Sequence, residues 1–210
     1  MKQNYQIILD KTLQEIIGSG TKPSLLLHAC CAPCSSYVLE YLSKYFDITV
    51  LFYNPNITEA DEYEKRGLEL KRLISELPHL NEISFTDGGY SPAEFETIAK
   101  GLENEKEGGA RCMRCYRLRL EKAAQAAKNG GYDFFTTTLS ISPHKNAQAL
   151  NGIGAELAEK YGVSWLYSDF KKKNGYKRSC ELSAAYGLYR QNYCGCIYSK
   201  REAEEREAAK

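Results

Sequence analysis

Apolar residues along the chain alternate between short, nearly continuous runs and longer stretches with helical spacing. Leu25-Leu26-Leu27-His28-Ala29-Cys30-Cys31 is a run of the first kind, and it predicts a strand buried on both faces. Residues 35–45 then suit a helix. The β-rich run Ile48-Thr49-Val50-Leu51-Phe52-Tyr53 stops at Asn54-Pro55-Asn56, and residues 59–77 carry apolar positions near helical spacing. Further strands are predicted at 82–85, 133–139 and 163–167. Further helices are predicted at 95–102, 112–128 and 147–161, with a break at Gly108-Gly109. Such alternation predicts an α/β fold with a mostly parallel sheet sandwiched by helices, whose ligands belong at the carboxyl ends of the strands. The expected organisation is a single domain over 1–199, followed by a charged tail, 200–210, read as a solvent-exposed helix without function.

Composition adds one constraint. The chain has 210 residues, 43% of them apolar, enough for a real core, and 28 basic side chains nearly cancel 27 acidic ones. The whole-molecule field therefore demands no polyanionic partner. No apolar run approaches the ~20 residues of a membrane span. The first twenty residues lack the apolar core of a secretory signal, so a cytoplasmic protein with reduced thiols and no membrane partner is expected. No Gly-rich phosphate fingerprint precedes any helix.

Eight cysteines change the picture, because seven fall in three motifs: Cys30-Cys31-Ala32-Pro33-Cys34, Cys112-Met113-Arg114-Cys115 and Cys194-Gly195-Cys196. The spacing of three in Cys31/Cys34 and Cys112/Cys115 puts two sulfurs on one side of a helix start. Two such pairs make a four-thiolate set, which suits tetrahedral zinc as well as a four-iron cluster. Cys30, a further adjacent thiol, is superfluous for closed structural zinc and points to redox work. Cys194-Gly195-Cys196 can form a labile, redox-active disulfide or supply two metal ligands. Cys180 reads as a packed thiol and His28 as a core histidine. His144 follows a predicted strand, where it can face substrate or merely open a helix.

Two basic clusters suit RNA phosphates, with an aromatic side chain for base stacking. The first is Arg111, Arg114, Arg117 and Arg119. The second is Lys171, Lys172, Lys173, Lys177 and Arg178 with Tyr176 between them.

Four stretches in order, 28–34, 111–120, 137–145 and 188–196, resemble those of QueH, the epoxyqueuosine reductase family. That resemblance implies an adenine-nucleotide-α-hydrolase-like (HUP, Rossmann-like) fold and the reductive conversion of epoxyqueuosine to queuosine in a tRNA anticodon stem-loop. It further implies a 4Fe-4S cluster with Cys31, Cys112 and Cys115 as ligands and Cys34 at a fourth, variable position. Cys30, Cys194 and Cys196 are similar to further thiols that bind an adjacent mononuclear iron or cycle as a dithiol. An external electron donor is implied. His144, Tyr193 and Asp169 are the proton donors to test. Two rival readings stay open at this stage, a zinc-stabilised RNA-binding module and a thiol-based tRNA sulfur transferase.

Overall fold

The computed structural model describes residues 3–209; Met1 and Lys2, which open the expected domain, and Lys210, which ends the expected tail, lie outside the described residues. The elements are α1 (Tyr5–Ser19), β1 (Ser24–Ala29), α2 (Ala32–Leu42), β2 (Asp47–Phe52), α3 (Ala60–Glu76), β3 (Ile83–Asp87), α4 (Pro92–Ala99), α5 (Ala110–Gly130), β4 (Phe134–Thr137), α6 (Ala147–Tyr161), β5 (Ser164–Trp165), α7 (Gly175–Ala185) and α8 (Ile197–Ala208). A single 3-10 turn, Thr138–Ile141, follows β4.

All five strands are parallel, in the order β3-β2-β1-β4-β5. Alternation along β1 explains its unbroken apolar run. Leu25 and Leu27 enter one core layer with Leu39, Leu42 and Leu70 from α2 and α3. Leu26 enters the other layer with Leu120, Ala124 and Leu157 from α5 and α6. The expected α/β fold is therefore the observed one, Rossmann-like in strand order. Successive strands step outward from β1 to β3, and the chain then returns to the far side of β1 to form β4. That reversal leaves a crevice between the carboxyl ends of β1 and β4, where open α/β sheets bind ligands. No helix among the described residues is long and apolar enough to cross a membrane.

Helix α6 matches its predicted span because both ends are marked. Asn146 accepts from the Gln148 and Ala149 amides, and Gly162 closes the helix in the left-handed region. Helix α2 starts three residues before its predicted start, with Cys31 as N-cap and Pro33 in its first turn. Helix α4 also begins early, at Pro92, and stops at Ala99. Strand β4 ends at Thr137, whose side chain accepts from the Leu139 amide and turns the chain into the 3-10 segment. Two helices are additions to the prediction. Helix α1 is capped by Asn4 and buries Leu9, Leu13 and Ile16. Helix α7 occupies the lysine-rich stretch. It packs so closely on α2 that a Cβ at Gly175 would lie 2.5 Å from the Tyr37 ring.

Candidate metal centre

The carboxyl end of β1 carries a buried polar frame. His28 Nδ1 lies 2.8 Å from Thr137 Oγ1 on β4, and Nε2 lies 3.0 Å from the Tyr53 carbonyl. Burial, reinforced by the Arg119 charge, lowers its pKa to about 3, so the imidazole is neutral and structural as expected. Asn54 donates to the Ala29 carbonyl at 2.9 Å and accepts from Arg119 Nη2 at 2.5 Å. This frame fixes the turn that follows.

In that turn the Cys30, Cys31 and Cys34 sulfurs lie within 4.8 Å of one another, with Cys30 and Cys31 3.6 Å apart. Two thiolates on one tetrahedral zinc-sized ion stand about 3.8 Å apart, so these three sulfurs are close enough to bind a single ion. Hydrogen bonds from Cys31, and then from Cys34, pull the Cys30 thiol well below its ordinary pKa, while the hydrogen bond to Cys30 pushes Cys31 up to about 12. The amide dipoles of the first turn of α2 favour negative charge here as well.

The other four motif cysteines form a second, wider group. Cys112 and Cys115 come from the first turns of α5, and Cys112 Sγ accepts from the Gly108 amide at 3.2 Å. Cys196 caps α8 by accepting from the Ser199 amide. Cys112, Cys115, Cys194 and Cys196 line one small cavity. Cys194 also lines a larger one, of about 230 Å³, whose wall includes Cys30, Cys31 and Cys34. The two thiol groups are neighbours through Cys194. Gly195 makes this wrap possible: its φ is +118°, and a Cβ there would lie 2.8 Å from Ile57 Cγ1 and 3.3 Å from Arg66 Nη1. The Cys194 carbonyl is held by Arg66 Nη1 at 3.1 Å and Asn56 Nδ2 at 3.3 Å. All eight cysteines are free thiols, Cys194 and Cys196 included.

Besides Arg111 on the wall of the smaller cavity, three buried cations surround these sulfurs. Arg66 pairs with Glu62 (Nη2 to Oε1, 2.6 Å) and is further stabilised by Cys31 and Cys194. Lys145 Nζ lies 3.0 Å from Glu107 Oε1 and 3.1 Å from Cys194 Sγ. Arg119 is 1% exposed, and its Nη1 has no hydrogen-bond partner. Burial opposes the Arg119 charge, and negative charge on Cys115, Cys194 and Cys30 outweighs it, leaving the guanidinium above its ordinary pKa. A buried cation without a matching anion is strongly unfavourable. Arg66 and Lys145 each have a carboxylate beside them, whereas Arg119 has none among the described residues and faces cysteine sulfurs, so the donor set suits a metal bound by ionised thiolates.

The remaining expected residues divide. His144, Tyr176 and Tyr193 line the larger cavity. Asp169 does not; it pairs with Lys171 at 2.8 Å. Arg111 is corrected as an RNA contact, since it is 1% exposed, donates to the Leu102 and Glu103 carbonyls and stacks on Tyr198. Arg119 is corrected likewise. Arg114 is exposed and donates to the Ile98 carbonyl. Lys171 reaches the Ser140 carbonyl, Lys173 pairs with Asp10, and Lys172 is exposed. The tail is helical and mostly exposed as expected, but it continues α8 from Ile197, buries Ala203 and holds the Glu107 amide through Glu202. Sequence reading passed over Arg66, and it gave Lys145 no role. For Arg66 a signal existed, because it occupies the apolar stripe Tyr63, Arg66, Leu70, Leu73 of α3.

The profile of the family described as epoxyqueuosine reductase QueH matches residues 25–202. The chain belongs to the QueH family. It is 44% identical to a Streptococcus pyogenes serotype M1 protein named epoxyqueuosine reductase QueH, over 96% of this chain and 81% of that one. Proteins of the same name from Staphylococcus epidermidis (42%, over 94% of this chain and 86% of that one) and Thermotoga maritima (37%, over 88% and 94%) are also similar. The QueH match opens on β1 and closes at Glu202 within α8, so it takes in all three cysteine motifs.

Proposed function

We propose that this QueH chain is an epoxyqueuosine reductase, removing the epoxide oxygen of epoxyqueuosine in tRNA to give queuosine. The observation that carries this reading is the convergence of seven thiols and three buried cations under a cavity at the β1/β4 switch point, in a chain of this family. Deoxygenating an epoxide to an alkene consumes two electrons and two protons and releases water.

The seven thiols are suited to an iron–sulfur centre and a second iron. Cys30, Cys31 and Cys34 have the spacing for one ion, and Cys112, Cys115, Cys194 and Cys196 are four further thiols gathered around one small cavity, the ligand number of an iron–sulfur cluster. This grouping revises the ligand set expected from sequence, in which Cys31 and Cys34 join Cys112 and Cys115 on one cluster. When bound, such a centre supplies electrons singly from an external donor and Lewis acidity toward the epoxide oxygen.

The chain's own residues do the rest. The cavity of about 230 Å³ has room for one base-sized ring system, which fits a nucleotide turned out of its stack. Tyr193 lines it beside Arg66, and burial holds its phenol above the ordinary pKa, so Tyr193 Oη carries a proton for the departing oxygen. His144 lines the same wall as the second donor. Lys145 Nζ holds Cys194 in place and stabilises negative charge on its sulfur.

The test is an anaerobic incubation of the purified protein with epoxyqueuosine-containing tRNA and a chemical reductant, followed by nucleoside analysis. Queuosine should appear without ATP. An iron-loaded protein that leaves epoxyqueuosine untouched refutes the reading, and conversion only with ATP would revive the sulfur-transferase class.

A further inference from the structure

Helix α8 runs past the end of the family match, and its last turns carry Arg206 to the rim of the larger cavity. Arg190 stands on the same rim. Both side chains are exposed, and neither forms an ion pair among the described residues; the one hydrogen bond of Arg190 goes from Nη1 to Ser183 Oγ at 3.1 Å. For Arg206 this is unexpected, because Glu202 lies one turn before it, at the spacing that normally gives a helical salt bridge. The Glu202 carboxylate is already engaged: it accepts from the Glu107 amide at 3.1 Å and faces buried Arg111 at 3.6 Å. A second tie anchors the helix end, from Asn192 Nδ2 to Glu207 Oε1 at 2.6 Å. The helix is thus fixed to the cavity wall on both sides, with a guanidinium at the opening and no anion to meet it. Tyr176, 40% exposed on the same rim, offers a face for stacking.

We infer that Arg190 and Arg206 grip the RNA phosphates flanking the nucleotide whose base enters the cavity, which makes α8 part of the RNA-binding face. The inference rests on the reductase reading, since that reading supplies the RNA. It moves the phosphate contacts from the basic clusters picked out in the sequence to two arginines those clusters omit. Guanidinium forks suit phosphate oxygens, and a strand splayed into a pocket must be held on either side of the inserted base.

The experiment measures binding of epoxyqueuosine-containing tRNA to the metal-loaded protein, anaerobically and without reductant, across a salt series. Arg190→Ala and Arg206→Ala should each weaken binding about five- to tenfold near 0.1 M salt and lower the slope of log affinity against log salt by roughly 0.7–0.9. Arg206→Lys should restore the slope, because a phosphate contact needs the charge. Unchanged affinity and slope in both alanine variants overturns the inference and leaves the reductase reading intact if the wild type still makes queuosine. Weakened binding with an unchanged slope, shared by Arg206→Lys, also overturns it by assigning Arg206 a structural role. Failure of the wild type to reduce epoxyqueuosine in tRNA counts against the reductase reading alone.

Discussion

Arg119→Met should leave the metal-free protein folded yet unable to hold its inorganic centre, with iron content falling more than tenfold and turnover falling with it. The two effects separate because thiols and bound thiolates respond differently to the loss of a buried cation. In the metal-free protein burial already raises the Cys115 thiol to about 12, so methionine strands no thiolate there. The remaining penalty is the loss of the Arg119 hydrogen bonds to Asn54 Oδ1 and His28 Nε2, about 1–3 kcal/mol for each buried acceptor left unpaired. In the loaded protein the sulfurs must stay ionised, and the charge that balances them is gone. Arg119→Lys should recover only part of the loading, since one ammonium does not span Asn54 and the sulfurs as the planar guanidinium does. Iron analysis beside urea denaturation of the metal-free variants checks both halves. Equal iron content in wild type and Arg119→Met would contradict the charge-matching argument.

Gly195→Ala should be nearly as damaging from a position that contributes no side chain. Its φ of +118° is open to glycine and strained for alanine, and the new Cβ would press on Ile57 and Arg66. Strain and overpacking together cost on the order of 1–3 kcal/mol. The larger consequence falls on Cys194 and Cys196, because relief of the clash moves the segment off Arg66 and Asn56, which hold the Cys194 carbonyl. Metal content and turnover should fall at least tenfold, while Gly187→Ala, also at positive φ but with open space around it, should lose stability without losing metal. Full metal content in Gly195→Ala would show that the wrap of this segment does not set the ligand geometry.

These two residues show where sequence reading stops. The Leu25–Cys31 run and the strand–helix alternation announced the parallel sheet and placed a cysteine turn at its carboxyl edge, because burial on both faces leaves an unbroken apolar signature. Arg119 reads in the sequence as one charge of a basic cluster suited to RNA. Its neighbours on the buried stripe of α5, Tyr116, Leu120 and Ala123, carried the opposite message. Arg111 misled in the same way. Helix α7 is masked in the sequence because lysines and an Asn-Gly pair resemble a solvated loop; the close approach of Gly175 to Tyr37 and the Arg178–Glu40 ion pair hold it on α2. The gathering of Cys112, Cys115, Cys194 and Cys196 around one cavity is invisible to spacing. It depends on the path of residues 194–196, which the Arg66 and Asn56 side chains fix from elements more than a hundred residues away.

Iron, zinc and acid-labile sulfide analysis of anaerobically purified wild-type protein and its Cys112→Ala variant is the most direct test of the central claim that the converging thiols hold a redox-active iron–sulfur centre. The account predicts iron and sulfide together in the wild type, with sulfur-to-iron charge-transfer absorption, and the loss of sulfide and of that absorption in Cys112→Ala. Zinc without sulfide in a colourless wild-type protein, or a Cys112→Ala variant that keeps its full sulfide and colour, would contradict it.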